Sequence, residues 1–457
     1  MVVSADILNA MLQTDAYLSD LLKQSQTQTI RVRSEISGWL QELRQKAAYE
    51  VAHQQLPTRR DEEWQFTDLR ELKAIAFENP PAVNLDRETL ASFVLPEANH
   101  TQAVFVNGVF APELSDLTGL PPGVFVGNLM GLPLEANYDA IKYIAHQDDA
   151  SEVFTALNST GFPDVAVIWA EADVTVTTPI HLLWLTVPTA NPALIQPRGL
   201  LIADPGSSLT VVEQYGVAIA ACADFTNTPP YFNNAVLEVF TRENARVNHT
   251  RYQRESGSGF HIGKTVVVQE RDSHYTTQTI NFGAKLSRHH LNIWQKGPNT
   301  ETYLNGLTLA DHAQVSDTHS LIALNHPHGV TDQLHKCIVD AQAHAIFSGK
   351  VLVPQAAQQT EAAQLNRNLL LSPQARVNTQ PQLQITADNV KCTHGATVSQ
   401  IDADELFYLQ SRGINAEQAR DLLLDAFAAE VLDRIPLSSL RQRLSQCVAC
   451  RTEELFV

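Results

Sequence analysis

The sequence predicts a mainly β protein, an extended all-β unit set between two helical ends. Three observations predict it. From about residue 102 to 390, short runs rich in Val, Ile, Thr, Leu and Phe recur between turn residues, without helical periodicity. This stretch covers almost 300 residues, whereas a β-sandwich usually stops near about 100 per domain, so stacked coils that extend by adding neighbours fit the length better. At both ends the apolar residues switch to spacings of three and four, the period of a helix.

The N-terminal region, residues 1–101, reads as helical because Leu40, Leu43, Ala47 and Val51 form one apolar stripe, which Pro57 closes. The charged stretch Arg59 to Trp64 and the Pro-containing Asn79 to Pro81 read as loop or linker. In the β-region, 102–390, Leu209 to Val212, Ala235 to Phe240, Thr265 to Val268 and Ile346 to Val353 are typical strand segments. One internal echo, Ala245-Arg246-Val247-Asn248 against Ala375-Arg376-Val377-Asn378, is short enough to arise by chance. The C-terminal region, 391–457, turns helical again. Asp402 stands three before Glu405, and Asn415 three before Gln418, each resembling a capping-box start, with Gly413 between the two helices. In the second helix Leu423, Phe427, Val431 and Ile435 repeat every four residues and Pro436 ends the run, giving a face built to pack on something.

The 457 residues carry a formal net charge of -18, which would repel a phosphate backbone and argues against nucleic acid as a partner. The first twenty residues carry Asp6, Asp15 and Asp20 and no Lys or Arg, unlike a signal or transit peptide, so the expected location is cytoplasmic. No membrane span is expected: the apolar runs Val165 to Ala170 and Ile180 to Val187 are separated by Glu171 and Asp173. Five cysteines, spread from Cys222 to Cys450, suit free thiols better than a disulfide framework.

Four groups of residues carry candidate chemistry. Gly263-Lys264-Thr265 invites a phosphate-loop reading but fails on spacing, because the position five before Gly263 is Ser258 and not glycine. Lys264 then reads as an ordinary strand residue near a turn. Asp317, His319, His326, His328 and His335 lie close in sequence, yet His326-Pro327-His328-Gly329 looks like a turn, and solvated or hydrogen-bonded histidines compete with a metal site. Cys447-Val448-Ala449-Cys450 is a lone CxxC without the second pair that a structural zinc needs. Lys391-Cys392-Thr393-His394-Gly395 can offer a thiolate and an imidazole on one side of an extended segment to iron or to sulfur. The alternative is a buried Cys and a hydrogen-bonded His beside a turn glycine.

The surroundings of that last motif shift the balance. Asn366 to Ser372, Ala375, Pro381 to Ile385 and Asp388 to Thr397, followed by Leu406 to Ile414, resemble the shared C-terminal signature of the SufB/SufD family of iron-sulfur cluster assembly scaffolds, part of the SUF system. Glu62 to Leu69 resembles the N-terminal motif of the same family. The helical N-terminal segment and the few cysteines favour the SufD branch. The resemblance implies a right-handed parallel β-helix with helical ends, in a complex of SufB, SufD and a pair of SufC ATPase subunits. It implies a scaffold and not an enzyme: SufC dimerisation would pull on the C-terminal helices, here Asp402 through Ile435, and expose an interface where iron and sulfur meet. His394 matches the family histidine at the SufB-facing interface, with Cys392 beside it, and the two are the residues offered to iron or a nascent cluster. Phe407, Tyr408, Arg412, Gly413 and Phe427 are the expected SufC-docking residues. No cofactor is expected on the isolated chain. Reduced flavin has been linked with the family complex, although no Rossmann-type glycine fingerprint is present here. An exposed β-helix edge or end would also permit a homodimer. Two rivals stand beside this reading. A β-helix lyase or esterase would need a calcium cluster or a Ser, His and Asp constellation, for which no motif is seen. An autonomous SufB-like cluster or iron carrier would draw on Cys337, Cys392, Cys447 and Cys450.

Overall fold

The computed structural model describes residues 15–30, 32–83, 85–146, 150–219 and 228–453, without the side chains of 450–453. Cys222, the Cys450 thiol and the acidic start of the chain therefore lie outside the described residues.

The β-region begins at Gln102. A hairpin of β1 (Gln102–Val106) and β2 (Val109–Phe110) and an antiparallel pair of β3 (Val124–Asn128) and β4 (Ala166–Ala170) close one end of it. The other strand pairings are parallel. They involve β5 (Ile180–Thr186), β6 (Ala193–Ile195), β7 (Arg198–Ala203), β8 (Ser208–Val217), β9 (Tyr231–Thr241) and β10 (Arg246–Glu255). The stack continues with β11 (Gly259–Gln269), β12 (His274–Gly283), β13 (Leu286–Gln295), β14 (Glu301–Ala310) and β15 (Val315–Ala323). It ends with β16 (Val330–Val339), β17 (His344–Val353), β18 (Glu361–Leu370), β19 (Arg376–Ile385) and β20 (Lys391–Gln400).

From β7 onward, β6 aside, consecutive strands alternate between two sheets. Sheet one runs β2-β1-β5-β8-β10-β12-β14-β16-β18-β20, and sheet two runs β3-β4-β7-β9-β11-β13-β15-β17-β19 with β6 beside β9. Each circuit adds one strand to each sheet, so the chain winds as a parallel β-helix of about eight turns. The stack includes Lys391–Gln400, which pairs along its whole length with β18, so the β-region runs past residue 390 and the C-terminal helices start only at Ala403.

Left-handed turn residues keep the period. Asn244, Asp272, Asn299, His328 and Gln359 all have φ between 56° and 60°, and they stand one each in the five successive passages from sheet two to sheet one between β9 and β18. Asn and Asp adopt this conformation more readily than other side-chain-bearing residues because a short polar side chain can hydrogen-bond locally. The Ala245 and Ala375 echo does not mark the period: it leads into β10 of one sheet and β19 of the other.

Between the sheets an apolar core including Phe105, Ile168, Val211, Val239, Ile293 and Val353 follows the axis. Inward positions also hold bulky polar side chains, and small residues opposite make room for them. A Cβ on Gly306 would collide with the His335 ring, and one on Gly349 with the Gln364 amide. Gly306→Ala is therefore expected to cost about 1–3 kcal/mol by overpacking. Urea unfolding checks this, and a midpoint equal to wild type would show that the interior has slack.

Helices of nine residues or more cover the outer faces. On sheet two lie α1 (Ala16–Thr27), α2 (Ser37–Ala52) and α3 (Val153–Gly161), with Leu18, Leu21, Val51 and Phe154 meeting Phe232, Phe260 and Ile262. The stripe on α2 places Leu40, Ala47 and Val51 inside, and the helix stops well before Pro57. Helix α3 corrects the expectation of an uninterrupted all-β stretch. All nine of its residues are buried, including Thr155, Asn158, Ser159 and Thr160, so no polar face betrays it, and the Glu152 carboxylate caps its start.

At the other end α4 (Ala403–Ser411), α5 (Ala416–Leu432) and α6 (Ser438–Glu453) follow, with Asp402 and Asn415 acting as side-chain N-caps. Helices α5 and α6 lie on sheet one, where Leu424, Ala428, Val431, Leu440 and Leu444 pack on Tyr252, Ile280, Phe282 and Leu307. Among the described residues no helix is long and apolar enough to cross a membrane.

Candidate functional site

Strands β19 and β20 are the last of their sheets, and among the described residues no strand pairs with them on the side facing along the solenoid axis. Side chains that would be interior one turn earlier are therefore uncovered here. In parallel register Cys392 lies beside Ala362, His394 beside Gln364 and Val398 beside Asn368; the three neighbours on β18 are buried, whereas Val398 is 52% exposed. Spacing by two keeps Cys392 and His394 on one side of β20, as the sequence suggested, but their environments differ. Cys392 is half-buried against the end of the apolar core, and that burial pushes its thiol pKa up, favouring the neutral thiol. His394 is exposed. Gly395 sits in mid-strand and not in a turn.

Beneath His394 is a residue that sequence reading missed. The Gln364 amide is held in one orientation, because its Nε2 donates to Gln333 Oε1 (2.7 Å) and Gln333 Nε2 donates to Ser320 Oγ (2.8 Å). Its Oε1 is left buried without a donor. Only the register, which joins positions thirty residues apart, places this acceptor next to the histidine.

A second exposed surface lies on α4, which buries no side chain. Phe407 is 70% and Tyr408 56% exposed, and Leu422 of α5 is 49% exposed. The Arg412 guanidinium lies 5.1 Å from the Tyr408 ring centre and donates to its hydroxyl at 3.2 Å. Gly413, at φ 89°, turns the chain between α4 and α5. Phe427 does not share this surface. It is half-buried in the contact of α5 with the solenoid, where Lys336 Nζ stands 4.2 Å over its ring and donates to its carbonyl (2.8 Å). The reason is geometric: four residues advance a helix by 400°, so a strict four-residue repeat drifts about 40° per step off the buried face. The packed positions are Ala419, Leu424, Ala428, Val431, Leu432 and Ile435, while Leu423 and Phe427 flank them.

The other candidates separate. Gly263, Lys264 and Thr265 pair on both sides in the middle of β11, which leaves no loop to cradle a phosphate. His335 is buried inside sheet one with Thr308, whereas Asp317 and His319 lie on the outer face of sheet two (Nε2 to Oδ1, 2.9 Å), and His326 and His328 lie in a turn. Among the described residues no group of three His, Cys, Asp or Glu side chains is placed to hold a metal ion. Cys337 is buried, and its thiol is pushed up to about 12. Cys447 accepts from the Arg254 guanidinium at 3.0 Å.

The Glu62 to Leu69 motif has a structural explanation. Trp64 covers the buried Arg288 guanidinium at 3.8 Å from the ring centre, Glu63 O accepts from Arg288 (2.7 Å), and Thr67 donates to Asp317, the ion-pair partner of Arg288. The motif clamps the N-terminal region to sheet two.

Comparison with known proteins places these features in a family. A family model described as SUF system FeS cluster assembly, SufBD core domain, matches residues 186–427, and one described as SufBD protein N-terminal region matches 12–182. The chain is 50% identical over 451 residues to an iron-sulfur cluster assembly SufBD family protein of Synechocystis sp., covering 96% of this chain and 100% of that one. It is 35% identical to the chloroplastic protein ABCI7 of Arabidopsis thaliana (88% of this chain, 84% of that one). It is 31% identical to the iron-sulfur cluster assembly protein SufD of Escherichia coli (85% and 88%).

Proposed function

Since the chain belongs to the SufBD family of SUF-system iron-sulfur cluster assembly proteins, we propose that it serves as the SufD-type scaffold subunit, without catalysis of its own. In this reading the open end of the solenoid pairs with a SufB partner, and α4 docks the SufC ATPase. The observation that carries the first part is the uncovered last turn, whose edge strand presents unpaired backbone groups and the exposed His394. Cys392 and His394 supply at most two donors, so iron or a nascent cluster would be completed by groups from the partner; it is cargo of the complex. Gln364 Oε1 would accept from one ring nitrogen of His394 and leave the other nitrogen free for iron. Helix α4 supports the second part, since Phe407 and Tyr408 are anchors of the size and type that dominate protein interfaces.

The test is co-purification of the tagged chain with SufB and SufC from the same organism. Wild type is expected to retain both. Phe407→Asp is expected to lose SufC while keeping SufB and its melting temperature, whereas Phe427→Asp lowers the melting temperature because it breaks an internal contact. In the reconstituted complex His394→Ala is expected to slow cluster formation about tenfold, a 1.4 kcal/mol effect. A wild-type rate would remove the ligand role, and retention of neither partner would bring the autonomous carrier forward.

A further inference from the structure

The interior row that ends in His394 runs back through the solenoid. Leu304 of β14, Gln333 of β16, Gln364 of β18 and His394 of β20 are register partners in succession, one per turn and about 4.8 Å apart. Two amides therefore stand between an apolar residue and the histidine. Stacked amides hydrogen-bond from turn to turn when the carbonyl of one faces an N–H of the next. These two do so, since Gln364 Nε2 donates to Gln333 Oε1 at 2.7 Å.

Leu304 offers no polar group to Gln333, so the ladder crosses the interior at that point. Gln333 Nε2 donates to Ser320 Oγ, on β15 of sheet two, at 2.8 Å. With its Nε2 spent there, Gln333 turns its carbonyl toward β18. Gln364 repeats the pattern: its Nε2 is spent on Gln333, and its Oε1 is left for β20, buried and without a donor. Gly349 opposite gives this amide its room, since a Cβ there would collide with Gln364 Nε2. Gln333 and Gln364 are 4% and 3% exposed, and His394, the next rung, is the first in the row to reach solvent.

We infer that Gln333 and Ser320, buried deeper in the solenoid, are positioning residues for His394: acting through Gln364, they fix which of its ring nitrogens carries the proton. An N–H of the neutral imidazole completes the ladder on Gln364 Oε1, where an amide N–H would stand one turn earlier. The other nitrogen keeps its lone pair toward the open end, which is the form that a metal ion takes. Without Gln333 to hold it, the Gln364 amide is free to turn over and present its N–H groups, which favours the opposite tautomer. This deepens the reading of His394 as an iron-facing residue and rests on that reading for its purpose, whereas the ladder itself belongs to the isolated chain.

Nitrogen-15 NMR of the histidine rings in the whole chain, at about pH 8.5 where an ordinary imidazole is neutral, tests it. The His394 signals are those missing from His394→Gln. One tautomer is expected to dominate in wild type, and Gln364→Met is expected to cut the ratio of the two about fivefold, the worth of one net hydrogen bond. Gln333→Met and Ser320→Ala, which leave Gln364 in place, are expected to cut it at least about twofold, with thermal unfolding as the folding control. Thr265→Val, which removes a hydroxyl bonded to His289 in another row, is expected to change nothing at His394. An equal ratio in wild type and Gln364→Met overturns the proposal, and so does an unchanged ratio in both Gln333→Met and Ser320→Ala. If Gln333→Met does not fold, Ser320→Ala decides alone. Cluster formation in the reconstituted complex, which Gln333→Met is expected to slow about threefold, separates the two readings. A wild-type rate in His394→Ala removes the ligand role and leaves the ladder, whereas a wild-type tautomer ratio in the ladder variants removes the ladder and leaves the ligand role.

Discussion

Lowering the pH from about 6.5 to about 5.5 is expected to remove about 4 kcal/mol of stability, close to 1 kcal/mol for each of four buried histidines. Burial takes His181 and His335 down to about 3, and it takes His289 and His290 well below the ordinary histidine value, aided by Arg251 beside the first and Arg288 beside the second. The unfolded chain accepts these protons near pH 6.5 and the folded chain does not. The unfolded state therefore binds more protons across this window, and stability falls as pH falls, down to the folded values near 3. The neighbours of these rings are neutral or cationic: His181 meets the amides of Gln102 and Gln214, and His335 meets Thr308 and the Phe347 ring. No carboxylate stands ready to welcome the added proton at either ring. Burial raises Glu213 and Glu255, but His249 and His261 outweigh it and hold both below the usual range. Their contribution is present above about pH 4.5 and is lost below it, a separate and lower window. Urea unfolding at the two pH values measures the loss, and His335→Gln should remove about a quarter of it. Equal stability at both values would mean that these rings are hydrated or paired in the folded protein.

The fold was legible in the sequence where local chemistry sets it. Strand texture between residues 102 and 390 and the capping residues Asp402 and Asn415 each act over a few positions, and each is found in the folded chain. The turn residues Asn244, Asp272 and Asn299 hold the coil period, a clearer mark than the four-residue echo of Ala245 and Ala375. Helix α3 was hidden because its polar residues are satisfied inside: Asn158 Nδ2 donates to the carbonyls of Pro197 (2.9 Å) and Asn234 (2.8 Å), so burial left no apolar stripe to read. The site was half legible. Spacing by two put Cys392 and His394 on one side of a strand, but the placement of Gln364 beneath His394 arises from a register that couples distant positions. No short-range pattern encodes such a register; it follows from how many residues each turn of the solenoid happens to use.

Arg198→Met is expected to destabilise the protein by about 3–5 kcal/mol. Arg198 is fully buried on β7 and joins three elements. Its guanidinium donates to Glu238 on β9 (2.5 Å) and to Asn158 and Ser159 on α3 (both 3.1 Å), and it lies 5.8 Å from the centre of the Phe162 ring. The other oxygen of Glu238 accepts from the Ala145 N–H (2.8 Å). Removing the arginine leaves a carboxylate buried with one neutral donor, and the desolvation of that charge, more than the lost pair, sets the cost. The double variant Arg198→Met, Glu238→Leu should therefore recover most of the loss, because it removes the stranded charge along with its partner. Urea unfolding of the two variants separates these terms, and a loss below about 1 kcal/mol in the single variant would show that water reaches Glu238. Amide exchange adds a spatial reading. Helix α3 packs with α1 and α2 on sheet two, and the Trp64 clamp sits beside them, so loss of Arg198 should speed exchange first in α3 and then across the N-terminal helices. Uniform acceleration along the whole solenoid would instead mean that the N-terminal layer and the coils unfold as one unit.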